Sequence, residues 1–297
     1  MNPFTLPSFA KINLCLRVLG KRADGFHELF TVFQTVSLHD SISFEASNRL
    51  TLSCNRKFIP TGGKNLIIRA AKLLQKLSGV KRGAKMHLVK RIPSPGGLGG
   101  GSSNAAAALI GLSRLWELKV PAEDLYKMAA ELGSDVPFFL YGGTAIGSGR
   151  GSEIEQLEDI QREKLLIVTP NIQVSTPKAF AALGAQSLTT AEAERILIVC
   201  RFEAEKLDLR QGTLRNDIEA AVFAAYPEVE RVKRTLLELG ASNAMMSGSG
   251  AGVFAVFDKE ETRQASLKAL DKEVNWRKFA VAAVSRTEYR GTLGITD

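Results

Sequence analysis

The sequence predicts an α+β protein of two domains, and three observations carry that prediction. The 297-residue chain is 45% hydrophobic and 24% charged, enough to bury one large core or two medium ones. Its first part is rich in strand-like alternation, broken by a glycine-rich turn between a strand and a helix. Past Glu153 strands and helices take turns around an antiparallel-looking core. This change of texture falls between 150 and 165, and the division is set at 1–160 and 161–297.

In chain order, alternation from Phe9 to Val18 predicts a strand, and further strands are expected over 29–38, 41–44 and 50–53. Residues 20–27 read as a turn-rich loop. Asn65 caps a helix whose Leu66, Ala70, Leu73, Leu74 and Leu77 share one face and which Gly79 ends. A strand over 84–92, a glycine-rich loop and a helix over 103–117 follow, with Ser102 or Ser103 able to cap that helix. Pro121 opens a helix running to about 132, and residues 142–151 suggest tight turns between short strands. In the second part, strands are expected over 165–169, 243–246, 253–257 and 279–287. Helices are expected over 177–183, after Ser175-Thr176, and over 190–200, 216–225, 227–239 and 259–273.

Composition narrows the function. A net charge of +8 favours acidic ligands such as nucleotides, but no block of five like charges suggests a nucleic-acid arm. Cys15, Cys54 and Cys200 are far apart and odd in number, which argues against a disulfide framework or zinc site and for a reducing cytoplasm. No apolar run approaches the roughly 18 residues of a membrane helix. The chain lacks a signal h-region, a solenoid repeat, a G-x-x-x-x-G-K-[ST] loop and protein-kinase motifs.

Four stretches carry candidate chemistry. Pro93-Ser94-Pro95-Gly96-Gly97-Leu98-Gly99-Gly100-Gly101-Ser102-Ser103 runs straight into an alanine-rich helix. Free amides and the helix dipole make such a turn an anion site, and glycine lets the backbone approach a phosphate. Lys11 and Asn13, two apart, share a strand face that is either solvated or a polar site within the sheet. Phe26-His27 could stack on a base and bond its edge, or be a packed aromatic and a surface imidazole. Asp135 precedes an apolar run and is either a helix cap or a half-buried carboxylate that needs a cation or donors.

Taken together, Ala10-Lys11-Ile12-Asn13-Leu14, Arg22-Ala23-Asp24-Gly25-Phe26-His27, the 96–106 string, Asp135-Val136-Pro137-Phe138, Arg215-Asn216-Asp217 and Ser247-Gly248-Ser249-Gly250-Ala251 resemble the GHMP kinases. The resemblance spans about residues 8 to 257. It implies an N-terminal ribosomal-protein-S5-like βαβ domain that binds ATP and a ferredoxin-like C-terminal domain whose glycine turn closes on the active site. It further implies transfer of the ATP γ-phosphoryl to the 2-hydroxyl of the methylerythritol moiety of a cytidine diphosphate acceptor, in the non-mevalonate route to isoprenoid precursors. Lys11 and Asp135 match its catalytic pair, and residues 93–103 its phosphate loop. Asn65 and Leu66 fall where adenosine is contacted; Asn13, Phe26, His27 and Thr176 fall on the acceptor side. Mg²⁺ is expected with ATP, with Ser102 or Ser103 as candidate ligand. No nucleic-acid or membrane partner is expected, and the chain would act as a monomer or homodimer. Phe26 stands where the family often has tyrosine, and Pro95, which lacks an N–H, where glycine is usual. The alternatives are another small-molecule kinase of the homoserine or mevalonate type and a catalytically silent nucleotide-binding module.

Overall fold

The computed structural model describes residues 2–22, 24–161, 163–184, 190–210 and 214–295; Ala23 of the Arg22–His27 string lies outside the described residues. Alternation at the N-terminus produces β1 (Phe4–Lys21), which pairs antiparallel with β2 (His27–Ser47). Then come β3 (Leu50–Cys54), α1 (Leu66–Ser78), β4 (Gly83–Val89), α2 (Gly100–Leu115), α3 (Ala122–Leu132), the one-turn α4 (Phe138–Tyr141), and the hairpin β5 (Thr144–Ser148) and β6 (Glu153–Gln156). The second part is β7 (Lys164–Pro170), α5 (Thr176–Ala181), α6 (Thr190–Glu205), β8 (Arg215–Asn216), α7 (Glu219–Ala225), α8 (Pro227–Glu238), β9 (Asn243–Met246), β10 (Val253–Phe257), α9 (Glu260–Ala269), β11 (Trp276–Ala282) and α10 (Arg286–Leu293).

Among the described residues the strands form a seven-stranded and a four-stranded sheet. In the first, β3 and β4 run parallel across helix α1, a βαβ unit, and the order continues β4-β2-β1-β8. In the second, the order β11-β7-β10-β9 is fully antiparallel. With α8 between β7 and β9 and α9 between β10 and β11, this is the ferredoxin-like βαββαβ arrangement. Three buried clusters stack through the molecule. Ile67, Leu74, Leu109, Phe139 and Leu293 pack helices onto the outer face of the first sheet. Ile12, Leu14, Val32, Ile167 and Phe254 join the two sheets. Val229, Val232, Leu236 and Phe257 pack α8 on the far face of the second.

Several expected boundaries move, each for a physical reason. The strands expected over 29–38 and 41–44 are one strand, β2, because a register shift opposite Phe9/Ala10 absorbs the break in alternation. The strand expected to reach 92 ends at Val89, since the amides of Arg91 and Ile92 donate to the Asp40 carboxylate instead of a ladder. Helix α2 starts at Gly100 rather than 103, and neither serine caps it; the cap is Gly99 in the left-handed region with φ 68° and no side-chain bond. Ser175 likewise precedes α5 without a side-chain cap bond, and α6 runs on to Glu205. The helix expected from 216 starts at Glu219, because Arg215–Asn216 pairs alongside β1. The helix expected over 259–273 is α9 plus a 3₁₀ turn at Leu270–Lys272. The strand expected over 279–287 lies at 276–282, and Ser285 caps the unanticipated α10 by accepting the Glu288 amide. The Ser285-x-x-Glu288 spacing is a capping-box signature that could have revealed it.

Candidate active site

The site begins with β1. Ala10, Ile12 and Leu14 face the second sheet, so Lys11 and Asn13 face the glycine loop. Lys11 is only 3% exposed, and its Nζ donates to Asn13 Oδ1 at 2.5 Å and stands 3.4 Å from Asp135 Oδ2. Asp135, on the turn between α3 and α4, keeps 34% of its side chain exposed. Asn13 is held in turn by donating to Thr31 Oγ1 at 2.7 Å, while that hydroxyl donates to the Cys15 carbonyl. A buried ammonium thus faces one half-buried carboxylate at the floor of a cleft of about 960 Å³.

The glycine loop forms the adjoining wall. Its carbonyls are turned outward and satisfied in sequence. Gly96 O accepts from Gly252 N at 3.1 Å, Gly97 O from Ser247 Oγ at 2.9 Å and Leu98 O from Lys11 N at 3.1 Å. Among the described residues, no protein acceptor takes the amides from Gly96 to Ser102. A run of free N–H groups at the start of the sixteen-residue α2 is the feature an oligophosphate needs. Glycine is required at Gly97, where φ is 70° and a Cβ would lie 2.0 Å from Ser247 O. That contact ties the loop to the turn at 247–252, itself fixed by Asn216 Nδ2 donating to the Met246 and Gly248 carbonyls.

The cleft brings together most of the candidate residues. Lys11, Asn13, Phe26, His27, Leu66, Pro93 to Ser102, Asp135 and Thr176 all line it. Thr176 Oγ1 lies 2.7 Å from Ser249 Oγ, joining α5 to the glycine turn. Two candidates lie off its wall. Asn65 spends its side chain on its own helix, accepting the Ile67 amide and donating to Pro60 O. Ser103 is buried and accepts from Ser8 Oγ at 2.8 Å, so Ser102 alone of the two serines lines the cleft.

Other residues at the site carried no readable signal. Arg150 stacks over Phe26, its guanidinium carbon 3.6 Å from the ring centroid, and sat in a glycine-dense stretch read only as turns. Phe180 stacks on His27 with centroids 5.1 Å apart, and its helix gave no hint of that partner. Mg²⁺ suits the donor set. Asp135 is the one carboxylate among the lining residues, and no group of three metal-binding side chains occurs among the described residues. Mg²⁺ takes few protein ligands and shares phosphate oxygens and water, so Ser102 Oγ and the ATP phosphates are a sufficient set.

Comparison with known proteins agrees with this geometry. Residues 65–143 match the model of the GHMP kinases N terminal domain and residues 204–275 that of the GHMP kinases C terminal domain. The 4-diphosphocytidyl-2-C-methyl-D-erythritol kinase of Solibacter usitatus is 41% identical over 96% of this chain and 90% of its own length. The enzyme of that name from Syntrophotalea carbinolica is 39% identical over 96% of this chain and 100% of its own. A crystal structure of 4-(cytidine 5'-diphospho)-2C-methyl-D-erythritol kinase superposes with a TM-score of 0.76 at 31% identity, covering 94% of this chain and 99% of that one. Homoserine kinase from Cytophaga hutchinsonii, at 19% identity and a TM-score of 0.70 over 95% of each chain, shares the fold.

Proposed function

The chain belongs to the GHMP kinase family, and from that premise we propose that it transfers the γ-phosphoryl group of ATP to the 2-hydroxyl of 4-diphosphocytidyl-2-C-methyl-D-erythritol. The observation that carries the acceptor is identity of 35% to 41% with kinases of that name over most of the chain. The geometry supports the chemistry. The acceptor oxygen bonds to the γ-phosphorus while the bond from that phosphorus to the β–γ bridging oxygen breaks, and ADP leaves. Asp135 takes the hydroxyl proton and later returns it to solvent. Lys11, buried beside it, offsets charge developing on the attacking oxygen. The free amides of Gly96 to Ser102 and the α2 N-terminus hold the phosphates in line. Ser102 would hold Mg²⁺ bound with ATP, and the ion would supply charge neutralisation at the phosphates.

On the acceptor side, His27 bonds the cytosine edge while Phe26 packs on the base, and Asn13 and Thr176 orient the polyol. Leu66 packs on the adenosine, and Asn65 shapes that wall through its helix cap. The free state of Cys15, Cys54 and Cys200 suits a cytoplasmic protein. A complete cleft within one chain serves a monomer or a homodimer alike.

The test is a coupled assay with ATP and Mg²⁺ against the cytidine acceptor, mevalonate and homoserine. Turnover is expected with the first alone. Phosphorylation of either of the others, with none of the first, would replace this reading.

A further inference from the structure

Beneath the glycine loop lies a polar cluster that the chemistry above does not use. Asp40, on β2, is completely buried, and its carboxylate accepts four hydrogen bonds. Oδ1 takes the amides of Arg91 at 2.7 Å and Ile92 at 2.8 Å, the residues that lead from β4 into the loop. Oδ2 takes Lys90 Nζ at 2.5 Å and Asn104 Nδ2 at 2.9 Å, and Asn104 lies in the first turns of α2, where the loop ends. Asn104 Nδ2 also donates to Ser8 Oγ, which donates to Ser103 Oγ. The Lys90 ammonium lies 2.7 Å from where a Cβ on Gly100 would stand. One carboxylate therefore grips both limbs of the loop, and one ammonium packs under its last turn.

We propose that Asp40 is a positioning residue for ATP, fixing the spacing between the two limbs of the 93–101 loop so that its amides converge on the phosphates. The proposal rests on the reading of that loop as the phosphate cradle. Lys90 completes the device. An unpaired buried carboxylate just below the cradle would repel the ligand, and the ammonium cancels it locally. Asp40→Asn keeps the side chain's size but turns an NH₂ group toward Lys90 Nζ and Asn104 Nδ2, donors against donors. It also leaves the ammonium buried without a counter-charge.

ATP binding to the whole chain, followed by calorimetry, tests this without reference to the acceptor. Folded Asp40→Asn is expected to bind ATP at least about tenfold more weakly. Its KM for the acceptor should stay within about twofold of wild type, a split that general loosening would not give. Asp40→Asn with Lys90→Met removes the stranded ammonium but not the lost tie, so ATP binding should stay several-fold weaker than wild type; full recovery would assign the loss to the stranded charge and overturn the proposal. Wild-type ATP affinity in folded Asp40→Asn overturns the proposal. Should that variant fail to fold, Asn104→Ala cuts the helix-side tie together with the bond to Ser8 and leaves the Arg91 and Ile92 ties intact; about threefold weaker ATP binding is expected, and unchanged binding overturns the proposal. Gly101→Asp separates the proposal from its premise. A Cβ there meets only Leu66 at 3.8 Å, so the fold tolerates it while a carboxylate enters the cradle. Unchanged ATP binding in Gly101→Asp removes the cradle reading itself. Lost binding there, with Asp40→Asn like wild type, removes only the role of Asp40.

Discussion

In the proposed mechanism Asp135 and Lys11 divide the work of one proton transfer, and their different burial decides how. Lys11 is sealed between β1 and the loop, so its charge is screened little; Asp135 opens to the cleft, where an acceptor hydroxyl can reach it. Asp135→Asn removes the proton acceptor with little change of shape. A fall in kcat of about 10²–10⁴-fold is expected with ATP affinity retained, measured by steady-state kinetics and ATP titration. A loss below about tenfold would make Asp135 an aligning group, since phosphoryl transfer can run on positioning. Cys15 offers a second prediction of opposite kind. Burial first, and the neighbouring Cys200 second, push its thiol up from 9.0 to about 12. Below pH 9.0 folded and unfolded chains both hold the proton. As pH rises from there toward 12 the unfolded chain loses it first, so stability falls, by at most about 1.4 kcal/mol per pH unit. Cys15→Ala should show a shallower alkaline loss in urea midpoints between pH 8 and pH 11 (roughly the span over which the thiols titrate).

At the scale of elements, α2 and β2 explain what could and could not be read in advance. The periodicity of α1 and the glycine run before α2 were local signals, and both lead to residues that line the cleft, Leu66 and the glycine loop. The first turn of α2 was misjudged because a serine signals a cap only where its side chain is free to turn back on the helix. Ser103 is instead bonded to Ser8, which lies 95 residues away in sequence. Asp40 was invisible for the same reason: its partners Lys90, Arg91 and Ile92 come from the segment after β4, and Asn104 from α2. Lys11, Asn13 and Asp135 were legible only as a constellation. Arg150 and Phe180 were not legible at all, because stacking partners leave no periodic trace. Packing of α2 on β2 also yields a prediction against propensity. Alanine usually stabilises a helix over glycine, yet at Gly111 its Cβ would lie 2.4 Å from Cζ of the wholly buried Phe44. Gly111→Ala should therefore destabilise by about 1–3 kcal/mol in urea unfolding, and a stabilised variant would mean that Phe44 moves aside freely.

For the whole molecule, the cleft exists because parts distant in sequence meet. The turn at 247–252 closes the glycine loop, and β8 extends the first sheet. Helix α10 reaches furthest. Tyr289 packs on Phe9 with ring centroids 5.5 Å apart, and its Oη donates to Phe139 O at 2.6 Å. Arg114 grips the carbonyls of Leu293 and Gly294. Tyr289→Ala should cost about 3–5 kcal/mol of stability, read as a lowered urea midpoint. A midpoint unchanged from wild type would show that α10 merely rests on the surface.

That last helix also sets a schedule for the newborn chain. Phe139 and the tyrosine hydroxyl that bonds its carbonyl are separated by 150 positions. At ribosomal speeds of about 5–20 residues per second, the interval is roughly 8 to 30 seconds. Throughout that interval the apolar surface awaiting Tyr289 and Leu293 stays open, available to chaperones or to a neighbouring nascent chain. Synthesis rate and chaperone supply would then act on the yield alongside the stability of the finished fold.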